Sequence, residues 1–248
     1  MIEAVFETCI EQLNVVKMAE AGAIRQAARL VAEALAEEKP FYLFGSGHST
    51  FIARDAYWRA GGLAPALVIP DPMMGDAERV EGFAALLLAH YELQPGSVLV
   101  VISNSGINPL PIEMALEAKD QGLKVVAVTC REHSEAITSR HCSGKKLMDL
   151  ADVVINTHGV PGDAALTLPG SKLRVAPTST IIGAAIIQAI VAQASAFLLE
   201  WGRKPPVIVS ANLPEGDAWN RELAVRYRSS MVRYEVPTAD ASRTPAGR

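Results

Sequence analysis

The sequence predicts an α/β fold: a doubly wound sheet of five parallel strands flanked by helices. Three observations lead there. Short, almost wholly apolar runs recur at Phe41–Phe44, Leu67–Ile69, Val98–Ile102, Lys124–Thr129 and Val153–Ile155, the pattern of strands covered on both faces. Helical stretches separate them, which is the alternation of a parallel sheet. The chain has 248 residues, 50% of them hydrophobic, enough for a large core.

Taken in order, Ile2 to Glu38 reads as helical, rich in Ala and Glu, with a break expected at Gly22 and an end at Pro40. The first strand runs directly into Gly45-Ser46-Gly47-His48-Ser49-Thr50. A helix over Phe51–Ala60 stops at Gly61-Gly62, a suitable C-terminal cap pair. The second strand is followed by the loop Pro70–Asp76, and then by a helix over Glu78–Tyr91. Gln94-Pro95-Gly96 turns the chain into the third strand. Ile112–Gln121 is helical and Gly122 closes it. After the fourth strand comes a polar, irregular passage, Arg131–Lys146, and a short helix over Lys145–Leu150. His158–Arg174 reads as a loop or a hairpin around Pro161-Gly162-Asp163. An apolar helix, Ile181–Leu199, a strand at Val207–Val209 and a helix near Trp219–Val232 complete the body. The tail from Glu235 onward, rich in Pro, Thr and Ala, is expected to be disordered.

Composition narrows the function classes. The formal charge is −4 and no basic stretch is concentrated, which argues against nucleic acid as a partner. Cys9, Cys130 and Cys142 fit neither a disulfide framework nor a zinc knuckle and read as reduced thiols. With no signal-peptide pattern in Met1–Ala4, a cytoplasmic location is expected. No charge occurs between Arg174 and Glu200, and Ile181–Leu199 is long enough to cross a bilayer. The Gln188 and Gln193 amides, the many alanines and the Pro177-Thr178-Ser179-Thr180 start point instead to a buried central helix, with no membrane partner. Uncharged on every face, it also suits an interface with a second copy, so a homodimer or homotetramer is expected.

The chemistry concentrates in one stretch, Val98 to Pro109. An apolar strand changes abruptly into Ser103-Asn104-Ser105-Gly106-Ile107-Asn108, with Asn108 placed to cap the next helix and Pro109 in its first turn. Hydroxyl and amide donors at a helix N-terminus suit an anion, a phosphate above all. The Gly45–Thr50 loop also leaves the carboxyl end of a strand, where ligands of such sheets bind, so the two loops are expected to line one pocket. Gly45-x-Gly47 is not a dinucleotide fingerprint, because Thr50 stands at the third glycine position.

Together, Gly45-Ser46-Gly47-His48-Ser49, Ser103–Asn108 and Ala176-Pro177-Thr178-Ser179-Thr180 resemble the sugar isomerase (SIS) domain family, in the branch similar to phosphoheptose isomerases. The resemblance implies a SIS-type sheet of flavodoxin-like strand order, with residues 1–234 as one domain and 235–248 as the tail. It implies a sugar phosphate ligand, with Ser49, Ser103, Asn104, Ser105 and Asn108 as the phosphate cradle. Ser46, Gly106, Thr178, Ser179 and Thr180 join the expected substrate-binding set. No cofactor and no metal are expected. Phosphoheptose isomerases carry a catalytic glutamate about three turns beyond the loop serine, where this chain has Arg59. Their metal-binding histidine on that helix has no counterpart either.

Candidate acid–base groups are therefore read from position. His48 lies inside a binding loop, Asp76 and Glu78 follow the second strand, and His141 and Lys145 follow the fourth. Ordinary structural roles compete with each: a turn hydrogen bond for His48, first-turn acids for Glu78 and Glu81, solvated lysines for Lys145. Three functions stay open: aldose–ketose isomerisation of a sugar phosphate, elimination or deamination of an amino-sugar phosphate, and non-catalytic phosphosugar sensing.

Overall fold

The apolar runs form one parallel sheet in the computed structural model, which describes residues 1–214 and 216–227. In chain order, helices α1 (Ile2–Ala19) and α2 (Ala21–Ala36) precede β1 (Phe41–Gly45), α3 (Ser49–Asp55), β2 (Ala66–Ile69) and α4 (Phe83–Leu88). Then follow β3 (Val98–Ile102), α5 (Pro109–Asp120), β4 (Lys124–Thr129), α6 (Arg131–Ala136), α7 (Leu147–Leu150) and β5 (Val153–Asn156). A hairpin, β6 (Ala164–Thr167) and β7 (Arg174–Pro177), leads into α8 (Ser179–Glu200), and α9 spans Gly216–Tyr227.

The sheet order is β2-β1-β3-β4-β5, with Phe41 opposite both Ala66 and Val98 in parallel register. This is a doubly wound sheet whose strand order reverses between β1 and β3. Alternate residues divide the core. Phe41, Leu43, Val98, Val100, Ile102, Val126 and Val128 face α2, α3 and α8, where Ile186, Ile190 and Phe197 meet them. Phe44, Leu99, Val101 and Ala127 face the opposite layer, made by α4, α5 and α7. The helix after β1 thus lies on one face and the helix after β3 on the other, and a crevice opens between their loops.

Several boundaries differ from the sequence reading. The first helical stretch breaks at Glu20, not Gly22, because the Glu20 carboxylate reaches the end of β5, accepting from Asn156 N at 3.2 Å and meeting His158 Nε2 at 2.8 Å. The expected Glu78–Tyr91 helix shrinks to Phe83–Leu88: Gly82 adopts φ of 82°, which breaks a right-handed helix. The Phe51–Ala60 helix begins earlier, at Ser49, and ends at Asp55. The hairpin turns around 168–173 rather than at Pro161–Asp163. Val207 is no sheet strand; it bridges antiparallel to Leu63, and Ile208 N donates to Gly62 O at 2.8 Å. Helix α8 is not buried all round, since Ile181 and Leu199 are 49% and 64% exposed. Val232 and the tail from Glu235 lie outside the described residues.

Candidate functional site

At the carboxyl ends of β1, β3, β4 and β5 lies a small, shallow cleft, open to solvent and lined by Ser49, Ile52, Ile102, Asn104, Val128, Thr157, Ser179 and Gly183. Its floor is apolar and its rim is hydroxyl and amide. Gly183 lets Ile52 pack close, since a Cβ there would push the Ile52 Cδ1 methyl aside. Ser49 is presented by the tight turn after β1, closed by Ser49 N to Ser46 O at 3.1 Å. Gly45 admits that turn: a Cβ on it would meet the Ser49 carbonyl oxygen at 2.4 Å.

Several buried polar atoms in and beside the cleft have no protein partner among the described residues: Asn104 Oδ1 in its lining, Thr50 Oγ1 and Thr178 Oγ1 beside it; Thr157 Oγ1, also in the lining, is buried beside the Cys130 thiol. An unsatisfied buried polar group costs about 1–3 kcal/mol, so a cluster of them calls for a ligand or water. The following loop adds donors. Gly106 has φ 62°, and its N–H donates to Ser103 Oγ at 3.2 Å. No partner is found for the N–H groups of Asn104, Ser105, Ile107 and Asn108 among the described residues. Successive N–H groups in such a turn form an anion-binding concavity.

The helix end contributes less than the sequence suggests. Asn108 is the N-cap residue of α5, but its side chain makes no cap bond. Its Oδ1 accepts from Arg140 Nη1 at 2.7 Å instead. Pro109 and Pro111 have no N–H, and Leu110 N is spent on Glu78 O at 3.1 Å. The α5 terminus therefore offers few donors, and the loop before it carries the polarity. The start of α8 is likewise engaged: Asp163 accepts from Thr178 N at 3.3 Å, from Ser179 N at 2.9 Å and from Ser179 Oγ at 2.6 Å.

Of the residues singled out from sequence, Ser49, Asn104 and Ser179 meet in the cleft. Ser103, 5% exposed, supports Gly106 from behind, while Ser105 is half-buried on the loop. Ser46 is buried and donates to Asp71 Oδ2 at 2.8 Å. Thr178 is buried at the head of α8, and Thr180 is exposed. The acid–base candidates stay away from the cleft lining. His48 is exposed, edge-on to the Phe51 ring. Asp76 and Lys145 are exposed, and Glu78 is half-buried with its carbonyl bound to α5. His141 packs on the α5 side, its Nε2 3.7 Å from Glu113 Oε1. At the position of the isomerase glutamate, Arg59 pairs on the surface with Asp55.

Sequence reasoning missed Asp71, Glu113 and Thr157. Asp71 is fully buried and shapes the first loop, accepting also from Gly47 N at 3.3 Å, Met73 N at 3.0 Å and Gly75 N at 2.8 Å. Its signal was available, an Asp flanked by prolines after a strand, the composition of a side-chain-stabilised turn. Electrostatic perturbation gathers outside the cleft. Burial pushes the His133 imidazole down, against a smaller upward pull from Asp163. The Cys142 N–H holds the Glu81 carboxyl below its usual value, and Glu81 in turn raises the Cys142 thiol.

A family model described as the SIS domain matches residues 6–130. The chain is 42% identical over 213 residues to a UPF0309 protein of Shouchella clausii, covering 82% of this chain and 87% of that one. It is 37% identical over 237 residues to a UPF0309 protein of Geobacillus kaustophilus, covering 92% and 94%. Among solved structures, the phosphoheptose isomerase of Neisseria gonorrhoeae superposes with a TM-score of 0.56 at 19% identity, over 79% of this chain and 97% of that one. Sequence, sheet order and cleft agree on one assignment: the chain belongs to the SIS domain family, beside the UPF0309 proteins.

Proposed function

We propose that the cleft binds a sugar phosphate, and that the reaction served is aldose–ketose isomerisation. One observation carries the binding: the unpartnered Asn104 Oδ1 meets Ser49, Thr157 and Ser179 in one cleft, beside loop N–H groups suited to phosphate. Sugar hydroxyls supply the donor that Asn104 Oδ1 lacks. The likeness in fold to the phosphoheptose isomerase supports the same ligand class.

Isomerisation takes a proton from the carbon beside the carbonyl and returns it to the neighbouring carbon, through an enediol. That needs a positioned base and an acid to polarise the oxygen. The cleft lining holds hydroxyl and amide donors but no carboxylate or imidazole to act as the base, so in this reading a second copy of the chain brings it. The exposed stripe of α8, with Ile181, Ala185, Ala189 and Ala192, and the exposed Ile2, Phe6 and Ile10 of α1 are the apolar surface such an assembly would cover. The same uncharged lining supports a second reading, a phosphosugar-binding protein without catalysis. Incubating the chain with candidate sugar phosphates in deuterated water separates the two. Incorporation of deuterium beside the carbonyl means isomerisation; saturable binding with no exchange means the non-catalytic reading.

A further inference from the structure

A second cluster, outside the cleft lining, lies on the α4–α5 side of the sheet. There the segment before α4 meets the segment before α7. Glu81, His141 and Cys142 each place one ligand atom so that all three lie within 4.8 Å of one another. The cluster is braced. Cys142 N donates to Glu81 Oε1 at 2.6 Å, His141 Nδ1 lies 2.7 Å from Ser143 Oγ, and the His141 side chain is only 9% exposed. Behind it, Glu113 is held by Gly82 N at 2.7 Å and lies 3.7 Å from His141 Nε2.

We propose that Glu81, His141 and Cys142 form a site for a divalent transition metal of the zinc class, with Glu113 or water as fourth ligand. A thiolate, an imidazole and a carboxylate together select zinc over magnesium or calcium, which take oxygen alone. Tetrahedral zinc sets its ligand atoms roughly 3.3–3.8 Å apart, given Zn–N and Zn–S bonds of about 2.0–2.3 Å. Rotation of the exposed Glu81 and Cys142 side chains closes the remaining gap. The Cys142 thiol proton leaves to solvent when the metal binds, so affinity rises with pH. The inference does not depend on the sugar phosphate reading.

The placement gives the metal a consequence. Glu78 O accepts from Leu110 N at 3.1 Å, and Arg140 N donates to Ile107 O at 2.9 Å. The two segments the metal would join are thus the ones that brace the Ser103–Asn108 loop from its outer side. Occupancy ties them together and stiffens that loop.

The test uses the full chain, reduced and freed of metal with a chelator, then titrated with cobalt(II) and followed by absorbance. One equivalent is expected to bind with a thiolate-to-cobalt charge-transfer band in the near ultraviolet, displaced by zinc. Cys142→Ser abolishes the band, whereas Cys130→Ser, at a buried thiol, leaves it. Glu81→Gln lowers affinity by at least roughly tenfold, the lower end for losing a supporting group. Unchanged melting of the metal-free Cys142→Ser and Glu81→Gln variants shows that they fold. No thiolate band in the parent chain, or the same band in Cys142→Ser, overturns the proposal.

Discussion

The two polar regions of this molecule differ in kind. The cleft at the end of β3 is lined by hydroxyls, an amide and apolar side chains, with no ionisable group. The loops on the α4–α5 side hold Glu81, His141 and Cys142 within a few ångströms of one another, with Glu113 of α5 3.7 Å from His141. Neutral donors on a rigid sheet edge suit holding a ligand, while titratable groups on paired loops suit protons or metal. In the proposed reading, ligand binding sits in the cleft and the titratable groups lie elsewhere, so catalysis would bring them together through assembly.

The largest effect is expected at the residue that shapes the cleft without touching it. Asp71→Asn leaves Ser46 Oγ, Gly47 N and Gly75 N competing for an amide where one carboxylate oxygen accepted all three. It is expected to cost about 2–4 kcal/mol by chemical denaturation, in line with loss of charge-assisted bonds at a buried site. An unchanged denaturation midpoint would mean that the first loop keeps its shape without this tie.

A smaller effect sharpens the contrast within the cleft itself. Thr157→Val removes a buried hydroxyl that has at most the Cys130 thiol beside it and keeps the shape. Sugar phosphate affinity is expected to fall about tenfold, or 1.4 kcal/mol, while the melting temperature holds or rises because nothing buried is left unpaired. If the melting temperature falls and affinity holds, the hydroxyl serves the fold rather than a ligand.

The smallest effect concerns pH. Burial lowers the His133 pKa, so the folded state prefers neutral imidazole. As pH falls below the ordinary value of 6.5, the unfolded chain takes up a proton that the folded chain resists, and stability is lost. Asp163 pulls the pKa back up, which limits the size, while Arg140 adds to the lowering. His133→Gln is expected to flatten the decline in melting temperature between about pH 7 and 5. A decline as steep as in the parent would assign it to other groups.

What was legible in the sequence followed from local pattern. Continuous apolar runs announce doubly covered strands, and all five sheet strands stand where those runs do. The abrupt change from Ile102 to Ser103 marks a strand end, and Asn104 lines the cleft there. Tertiary demands were not legible. Glu20 breaks a helix because its carboxylate is used 136 residues away, at Asn156. Leu110 spends its N–H on a carbonyl that no local pattern reveals, which removes the helix end from the expected anion site. Thr157 was overlooked because a threonine closing a strand is ordinary until it proves buried in the cleft lining.

Titration calorimetry of the full chain with a panel of sugar phosphates and the corresponding free sugars tests the central claim most directly. Charge-assisted hydrogen bonds to phosphate contribute about 1.5–3 kcal/mol each, so the account predicts at least one sugar phosphate bound roughly a hundredfold more tightly than its free sugar. Ser49→Ala should weaken that ligand without lowering stability. Equal affinity for both forms across the panel, or no binding of any phosphorylated sugar, would contradict it.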